Sequence, residues 1–337
     1  MNIQPSSLPD LRSAVASIAE RIDATMRADL DRALVGQDPF LKEVLHYTLF
    51  NGGKRIRPLL IVLCSRCCGR DDDDLYLVGA AFEYLHAATL AHDDVLDRSE
   101  QRRGKPTVMA RYGLQKTILG GDWLHVRSLY LMGQLTGTPG LDIFCHATSS
   151  MVNGEFEQLR QCADITTTQE QYFSIIRQKT GELITASCAI GALYAGADPL
   201  RQQALTRYGE ALGAAFQITD DLLDFLGDSD ATGKETGNDF VEGKITLPLL
   251  HALERASSDD RDNLAALMTG DRTRPENYAR LVELITRYNG FDTARDTARD
   301  LIDRAVAALA PFAGTGPASE YASLLASLAG YVLTRNK

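Results

Sequence analysis

Two stretches of sequence decide the fold: residues 88–97, ATLAHDDVLD, and residues 217–224, QITDDLLD. Each places three aspartates, in the order Asp-Asp-x-x-Asp, in an apolar stretch with helical spacing. On a helix the first and last aspartates share a face and repel each other. Divalent cations that bridge the carboxylates would remove this repulsion, and oxygen ligands of this kind suit magnesium, which often shares substrate phosphates. The repeated motif therefore predicts two metal-binding helices.

The simpler interpretation of such a motif is a solvated acidic helix face. One motif alone would leave the two interpretations about equal, but two motifs in apolar surroundings favour metal binding. The motif residues are Asp93, Asp94 and Asp97, followed by Asp220, Asp221 and Asp224. If both motifs serve one metal cluster, their helices must face each other across one cavity. This requirement favours a single domain covering residues 1–337.

The rest of the chain has the periodicity of a helical protein. Apolar residues at spacings of three and four predict helices at residues 73–96, 140–163, 168–195 and 200–227. No alternating, strand-like pattern of β-branched and aromatic residues appears. The sequence therefore predicts an all-α bundle of about ten or more helices. Residues 227–244 are polar and rich in glycine, which predicts a mobile loop.

Composition narrows the possible partners. The chain has 337 residues, of which 45% are hydrophobic, and its net charge is -10. An acidic surface argues against nucleic acid or anionic lipid as the main partner. The sequence contains no run of about 18 apolar residues that could span a membrane, and its first residues lack the apolar segment of a signal peptide. We therefore expect a cytoplasmic protein with no membrane span.

The sequence also contains basic residues that could bind a diphosphate. Such residues are needed because metal ions and carboxylates alone do not hold a diphosphate. Residues 52–58, GGKRIRP, join a glycine turn to basic residues and to a proline suited to a helix start. His86 lies two helical turns before Asp93 on the same face, which favours a ligand contact over a core histidine. Any single basic residue is more simply a surface charge, but together they favour a diphosphate site. The others are Arg102, Arg103, Lys179 with Thr180, Lys234 and Lys244.

In combination and in order, these motifs resemble those of the trans-type isoprenyl diphosphate synthases, the polyprenyl synthetase family. The resemblance runs from about residue 30 to residue 337 and extends to the polyprenyl, octaprenyl-like synthases. It implies an isoprenoid-synthase-type all-α fold around a deep central cavity and a homodimer. It also implies a prenyltransferase that adds isopentenyl diphosphate head-to-tail to an allylic diphosphate primer.

The resemblance further implies a role for each motif residue. Asp93, Asp97 and Asp220 would bind about three magnesium ions, supported by Asp94, Asp221 and Asp224. Lys179 joins these six aspartates as a catalytic residue. Isopentenyl diphosphate would be held by Lys54, Arg57, His86 and Arg103. The allylic diphosphate would be held by Arg102, Lys179, Thr180, Gln217, Lys234 and Lys244.

Product length should depend on the helix face below Asp93. The residues at successive turns of this face are Phe82, Leu85, Ala88 and Thr89. Short-product members of the family often carry an aromatic residue four or five positions before the motif, where this chain has the small residues Thr89 and Ala88. At about 1.5 Å per residue, Phe82 lies roughly 16 Å from Asp93, which predicts a product of about twenty carbons or more, a quinone side-chain precursor.

Four other classes of protein share parts of this pattern. A geranylgeranyl or farnesyl diphosphate synthase would share every motif and differ only in product length. A class I terpene cyclase, and likewise a head-to-head condensing enzyme, is disfavoured because the second metal motif of a cyclase usually carries Asn, Ser or Thr, and Glu. A non-catalytic regulatory subunit is disfavoured because no motif aspartate or arginine is missing.

Overall fold

The computed structural model describes residues 3, 5–227 and 236–334, with only the backbone described at residues 8 and 9. Within these residues the chain is almost entirely helical, with more than ten helices, and this confirms the predicted all-α class. The α-helices are, in chain order, α1 (Leu8–Ala33), α2 (Pro39–Leu49), α3 (Ile56–Cys67), α4 (Asp73–Leu96), α5 (Val108–Tyr112), α6 (Leu114–Arg160), α7 (Gln169–Ile176), α8 (Glu182–Tyr194), α9 (Pro199–Leu226), α10 (Asn238–Glu242), α11 (Leu247–Arg255), α12 (Ser258–Thr269), α13 (Pro275–Arg287), α14 (Gly290–Ala308) and α15 (Pro317–Thr334). A π turn (Arg177–Gly181) joins α7 to α8, and a 3₁₀ turn (Ala310–Phe312) follows α14.

Helix α4, which carries the first aspartate motif, has the predicted bounds. Its start is fixed by Asp72, whose side chain accepts a hydrogen bond from the backbone N–H of Leu75 at 3.0 Å. Such a cap satisfies a helix N–H that lacks a partner within the helix. Asp73 and Asp74 follow in the first turn, where negative charge interacts favourably with the helix dipole and stabilises the helix. Local sequence signals are therefore sufficient to define this helix.

Two other predicted helices differ from the observed ones. The helix predicted at residues 140–163 is the second part of α6, which is broken at Gly137 (φ 64°, ψ -165°) and ends at Arg160. Pro139 follows the break, and its ring excludes a regular helical hydrogen bond there. The helix predicted at residues 168–195 is interrupted by the π turn. Helix α9 agrees with the prediction to within one residue at each end.

Within the described residues, strand structure is confined to one short hairpin between α4 and α5. Strand β1 (Gln101–Arg102) pairs antiparallel with β2 (Lys105–Pro106). The two residues of its loop, Arg103 and Gly104, both have positive φ angles of 55° and 71°. Positive φ at both central residues is the requirement of a type I′ hairpin turn. Strands of two residues are too short for an alternating pattern to predict.

The chain forms two compact units. Unit 1 consists of Met1–Cys145, Ala186–Thr206 and Leu309–Ser327. In its core α4 packs against α1 and α3, so most of the surface of α4 is buried. This packing holds the C-terminal end of α4, with its aspartates, in a fixed position.

Unit 2 consists of His146–Thr185, Arg207–Ala308 and Leu328–Lys337. Its apolar core includes Leu222 of α9, Leu249 of α11, Leu284 of α13 and Phe291 of α14. Leu222 lies inside the second aspartate motif, so the core of unit 2 supports that motif directly. The organisation of residues 1–337 as a single domain stays a prediction. In the part of the chain that the structure describes, no helix is both long enough and apolar enough to cross a membrane.

Candidate active site

The second aspartate motif lies near the C-terminal end of α9. Asp221 is only 5% exposed, whereas the preceding Asp220 is exposed. Burial disfavours the charged carboxylate, and the nearby carboxylate of Asp239 adds repulsion, so the pKa of Asp221 is raised. The pKa of Asp224 is raised for the same two reasons, burial first and Asp239 second. This part of the site therefore has an excess of negative charge.

Neutral donors hold the Asp221 carboxylate in place. The Tyr172 hydroxyl donates to Oδ2 at 2.6 Å, and the Gln217 side-chain amide donates to Oδ1 at 2.8 Å. The amide oxygen of Gln217 accepts a hydrogen bond from the Thr180 hydroxyl at 2.8 Å. Gln217 and Asp221 are four residues apart and therefore share one face of α9. The predicted ligands Thr180 and Gln217 are thus linked to the motif itself.

Lys179 and Thr180 lie in the π turn rather than in a regular helix. Such turns are rare and often occur at functional sites. Two neighbouring helices approach this turn closely. A Cβ atom on Gly154 of α6 would lie 2.8 Å from the backbone nitrogen of Lys179, and one on Gly213 of α9 would lie 2.8 Å from the Cα of Gly181. Because backbone atoms cannot move aside as a flexible side chain can, both positions require glycine.

One pocket in unit 2 gathers predicted residues from three separate segments of the chain. They are Lys179, Thr180, Gln217, Asp221 and Lys244. Tyr172 lines the same pocket, and Ile175, Ile176 and Ile245 supply apolar surface beside these polar groups. The structure therefore brings together the predicted allylic-diphosphate ligands of this unit.

Both lysines of this pocket pair with carboxylates. The Nζ of Lys179 lies 2.6 Å from Oε2 of Glu155. The Nζ of Lys244 lies 2.7 Å from Oδ1 of Asp239 and 2.7 Å from Oε2 of Glu242. Burial alone would lower the pKa of Lys244, but these two carboxylates raise it above its ordinary value. Lys244 is therefore a permanently charged donor.

The predicted mobile loop at residues 227–244 is described only in part. Residues 228–235, which include the predicted ligand Lys234, lie outside the described residues. In the described part, Asp224 accepts hydrogen bonds from two backbone N–H groups. That of Gly237 donates to its carbonyl oxygen at 2.9 Å, and that of Asp239 donates to Oδ2 at 3.0 Å. The end of the loop is therefore attached to the second motif.

The first aspartate motif occupies the last turn of α4 in unit 1. Asp94 is only 3% exposed, and its Oδ1 accepts hydrogen bonds from Nε of Arg102 at 2.9 Å and from Nη2 at 2.8 Å. Asp93 is partly exposed, and Asp97, at the end of the helix, is exposed. Arg102 belongs to β1, so the hairpin places a cation directly on the middle aspartate. The predicted allylic ligand Arg102 therefore lies with the first motif.

The hairpin also brings Arg103 to the segment GGKRIRP, where its guanidinium donates to the carbonyl oxygen of Gly52. A pocket of unit 1 is lined by four of the predicted residues. They are His86, Asp94, Arg102 and Arg103. The predicted ligands Lys54 and Arg57 are not among its lining residues. Arg55, between them in sequence, contacts Glu83 at 2.6 Å and Asp23 at 2.8 Å, so it stabilises the fold.

His86 lies in a strongly positive environment. Burial lowers its pKa well below the usual 6.5, and the cations of Arg57, Arg103, Arg102 and Arg55 lower it further. The Nε of Arg57 is buried and has no hydrogen-bond partner within the described residues. Unsatisfied buried donors of this kind are costly unless a ligand accepts from them. The cluster around His86 is thus suited to bind an anion.

The predicted chain-length residues occupy the buried part of α4. Phe82, Leu85 and Ala88 are at most 2% exposed, and Thr89 donates to the backbone oxygen of His86 at 2.9 Å. The ring of Phe82 packs edge-to-face against Phe144 of α6, with ring centroids 5.0 Å apart. The two rings therefore fill the space beside this part of the helix face. The role of these residues in product length stays a prediction.

The motif carboxylates are oxygen ligands of the kind that magnesium prefers. Within the described ranges, no group of three or more His, Cys, Asp or Glu side chains gathers closely enough to hold a metal ion alone. Asp93, Asp97 and Asp220 are partly or fully exposed oxygen donors. In each motif, exposed oxygens of this kind differ from a closed structural site and fit a hard cation that keeps waters and substrate phosphates as further ligands.

Three residues of the site were missed by the sequence analysis. Tyr172 and Glu155 carry no motif, and their contacts with Asp221 and Lys179 depend on tertiary packing. Asp239 could have been found, because it is an acidic residue in the predicted loop, five positions before Lys244. Its proximity to both Asp224 and Lys244 links the loop to the motif.

Comparison with known proteins gives consistent results. Residues 38–285 match the polyprenyl synthetase family. The chain is 33% identical over 334 residues to an octaprenyl diphosphate synthase of Haemophilus influenzae, covering 99% of this chain and 96% of that protein.

Two solved structures are similar along almost the whole chain. One is a decaprenyl diphosphate synthase from Rhodobacter capsulatus, with a TM-score of 0.87, 33% identity, and coverage of 97% of this chain and 99% of that one. The other is a polyprenyl synthase from Caulobacter crescentus in complex with calcium and isoprenyl diphosphate. Its TM-score is 0.87, its identity 35%, and the match covers 97% of this chain and 98% of that one.

Proposed function

Because the chain belongs to the polyprenyl synthetase family and is a prenyltransferase that makes polyprenyl diphosphates, we propose its substrates, its metal and the role of each site residue. It condenses isopentenyl diphosphate head-to-tail with an allylic diphosphate, using about three magnesium ions per site. The observation that carries this proposal is the pocket of unit 2. It gathers Lys179, Thr180, Gln217, Asp221 and Lys244 around one space suited to a diphosphate.

The first step breaks the allylic carbon–oxygen bond and leaves negative charge on the departing diphosphate. Bound magnesium supplies positive charge at that diphosphate, which makes it a better leaving group. Lys179 and Lys244 exchange their contacts with Glu155, Asp239 and Glu242 for the diphosphate oxygens. Donors placed where charge develops stabilise the transition state more than the ground state. The hydroxyl of Thr180 is held nearby by Gln217 as a further donor.

The second step forms the new carbon–carbon bond. The double bond of isopentenyl diphosphate attacks the allylic carbon, and a proton leaves the resulting adduct for the released diphosphate, which restores a double bond. The apolar surface of Ile175, Ile176 and Ile245 beside the pocket excludes water that would otherwise trap the cation.

Isopentenyl diphosphate binds at the positive cluster of unit 1. His86 is neutral there and acts as a hydrogen-bonding group, because burial and four arginines lower its pKa. Arg57 offers its buried Nε, and Arg103 offers a guanidinium held by Gly52. Planar guanidinium groups match phosphate oxygens well. Lys54 completes the set as an exposed charge from the same glycine turn.

The product is a polyprenyl diphosphate of about twenty carbons or more, consistent with roughly 16 Å of helix between Asp93 and Phe82. The similarity to octaprenyl and decaprenyl synthases supports a long product, which would serve as the side chain of a quinone. Geranylgeranyl and farnesyl diphosphates are the shorter alternatives. Ala88 and Thr89 favour the longer product because neither side chain closes the helix face near the motif.

The enzyme acts as a cytoplasmic homodimer. Helix α6 exposes Leu119, Val126 and Tyr130 at 64%, 67% and 55% of their surface. Their spacing of seven and four residues places them on one helix face, and a second copy of the chain would bury this apolar stripe. Val126→Glu should convert the dimer to monomer in light-scattering measurements, whereas an unchanged mass would exclude this face as the interface.

The direct test is incubation of the purified protein with radiolabelled isopentenyl diphosphate and allylic primers of increasing length. We expect magnesium-dependent incorporation into a long polyprenyl diphosphate, identified by chromatography of the dephosphorylated products. Asp220→Asn is the inactive control. A cyclic hydrocarbon formed without isopentenyl diphosphate would instead indicate a cyclase. No turnover without another chain would indicate a regulatory subunit.

A further inference from the structure

Tyr172 is a buried tyrosine that contacts the second aspartate motif but belongs to none of the motifs. It is 3% exposed, and its hydroxyl donates to Oδ2 of Asp221 at 2.6 Å. The ring alone would fill the core of unit 2, so the hydroxyl is not required for packing. Burying a hydroxyl costs free energy unless it forms a hydrogen bond, and this one forms its bond with a motif aspartate.

Hydrogen bonds connect Tyr172 to the predicted ligands. Tyr172 lies in α7, and Thr180 lies in the π turn that follows it. Opposite them, Gln217 and Asp221 share one face of α9. The four residues form one hydrogen-bonded chain. Thr180 donates to Gln217, Gln217 donates to Asp221, and Tyr172 donates to the other oxygen of Asp221.

We propose that Tyr172 is a positioning residue for the second aspartate motif. Its hydroxyl fixes the orientation of the Asp221 carboxylate, and through it the position of the adjacent Asp220, which the proposed function makes a magnesium ligand. The hydroxyl hydrogen of Tyr172 is donated to Asp221, so we assign it a positioning role although its ring lines the same pocket. The inference rests on the proposed function and adds to it a residue that acts through another.

The test compares Tyr172→Phe with a matched control, Tyr84→Phe. Tyr84 is also buried, and its hydroxyl donates to Oδ2 of the buried Asp29 at 3.0 Å in unit 1. Both substitutions remove one hydroxyl from one buried carboxylate and keep the ring. Only Tyr172 contacts an aspartate motif, so a purely structural effect should appear equally in both variants.

The first measurement needs no catalysis. Thermal unfolding is followed at a fixed concentration of inorganic pyrophosphate while magnesium is titrated, because ligands that bind the folded state raise its melting temperature. We expect the magnesium concentration at half-maximal stabilisation to rise roughly tenfold in Tyr172→Phe, as for other partners that orient metal ligands. Tyr84→Phe should melt at a lower temperature but keep the wild-type magnesium midpoint.

The second measurement is steady-state kinetics. We expect Tyr172→Phe to lower kcat by roughly tenfold and to leave the KM for isopentenyl diphosphate unchanged, because that substrate is assigned to the residues of unit 1. A wild-type midpoint and a wild-type kcat in folded Tyr172→Phe would overturn the proposal. A wild-type protein that pyrophosphate and magnesium do not stabilise would instead refute the proposed function.

A third variant covers the case in which Tyr172→Phe does not fold. Asp221→Asn keeps the size of the side chain but replaces one of the two accepting oxygens, Oδ1 for Gln217 and Oδ2 for Tyr172, by an NH2 group that cannot accept a hydrogen bond. A raised magnesium midpoint with unchanged helix content would support the proposal. An unchanged midpoint would overturn it, because Tyr172 can act on the metal site only through Asp221.

Discussion

The two aspartate motifs have the same sequence pattern but different partners. In each, the middle aspartate is buried and held by hydrogen bonds, and the outer aspartates are more exposed. Asp94 of the first motif is held by a guanidinium, that of Arg102. Asp221 of the second is held by two neutral donors, Tyr172 and Gln217.

This difference has an electrostatic consequence. Arg102 compensates the charge of Asp94 directly. Neutral donors compensate Asp221 less completely, and the neighbouring carboxylate of Asp239 adds repulsion, so the pKa of Asp221 is raised by burial and by Asp239. The buried carboxylate of Asp221 is therefore less completely compensated within the protein than that of Asp94.

The largest effect is expected from removing an outer aspartate of either motif. Asp93→Ala and Asp220→Ala should each lower kcat by about a thousandfold, because charge stabilisation at the leaving group is lost. Circular dichroism should show unchanged helix content. Near-normal turnover in either variant would break the comparison, because it would show that only one motif carries metal.

A smaller effect is expected at the π turn beside the second motif. Gly154→Ala places a Cβ atom 2.8 Å from the backbone nitrogen of Lys179 and should displace Lys179 and Thr180. A displacement of about 1 Å can cost roughly a hundredfold in rate, so kcat/KM for the allylic primer should fall by that factor.

Gly133→Ala in the same helix is the control, since its Cβ atom would meet its nearest neighbour, Leu141, at an ordinary 3.8 Å. We expect wild-type kinetics for this variant. Equal kinetics for the two variants would show that close packing at Gly154 does not position the turn.

Removing Arg102, the partner of Asp94, tests the difference between the two motifs. Arg102→Met leaves the buried Asp94 carboxylate without its cation, which should lower the free energy of unfolding by about 2 kcal/mol. Denaturant unfolding with and without magnesium measures the effect. If magnesium restored the lost stability completely, the first motif would depend on metal as much as the second does.

The length of the product should depend on the helix that carries the first motif. Ala88 is 2% exposed, and Ala88→Phe should block the helix face one turn before the aspartates and shorten the main product. The larger ring should also cost about 1–3 kcal/mol of stability through overpacking. Chromatography of the products gives the chain length, and an unchanged distribution would remove Ala88 from the tunnel wall.

The smallest effect concerns pH. The pKa of His86 is well below its usual 6.5 in the folded protein because of burial and the surrounding arginines. As pH falls below 6.5, the unfolded chain binds a proton that the folded chain does not, so stability decreases. His86→Gln should reduce this loss between pH 6.5 and 5 in thermal unfolding. An identical pH dependence in the two proteins would show that His86 is not the cause.

The sequence was sufficient to predict the helices that have clear local signals. The bounds of α4 follow from the Asp72 cap and its acidic first turn, and α9 from its apolar spacing. The π turn could not be predicted, because one extra residue in a helix leaves no signal in composition or periodicity. Its position depends on contacts with Gly154 and Gly213, which are remote in sequence.

The same distinction applies to the site. The aspartates, lysines and arginines were found because repeated carboxylates and clustered cations are unusual in apolar helices. Tyr172 and Glu155 were not found, because a single tyrosine or glutamate on a helix is ordinary until packing brings it to Asp221 or Lys179. Residues that bind substrate are therefore easier to predict than the residues that hold them in place.

The most direct test is a crystal structure of the protein with magnesium and an unreactive allylic thiodiphosphate. Our account predicts that Asp93 and Asp97 coordinate magnesium, that Asp220 coordinates magnesium, and that Lys179 and Lys244 contact diphosphate oxygens of the analogue. If either motif coordinated no magnesium, or if the analogue bound away from Lys179 and Lys244, the account would be contradicted.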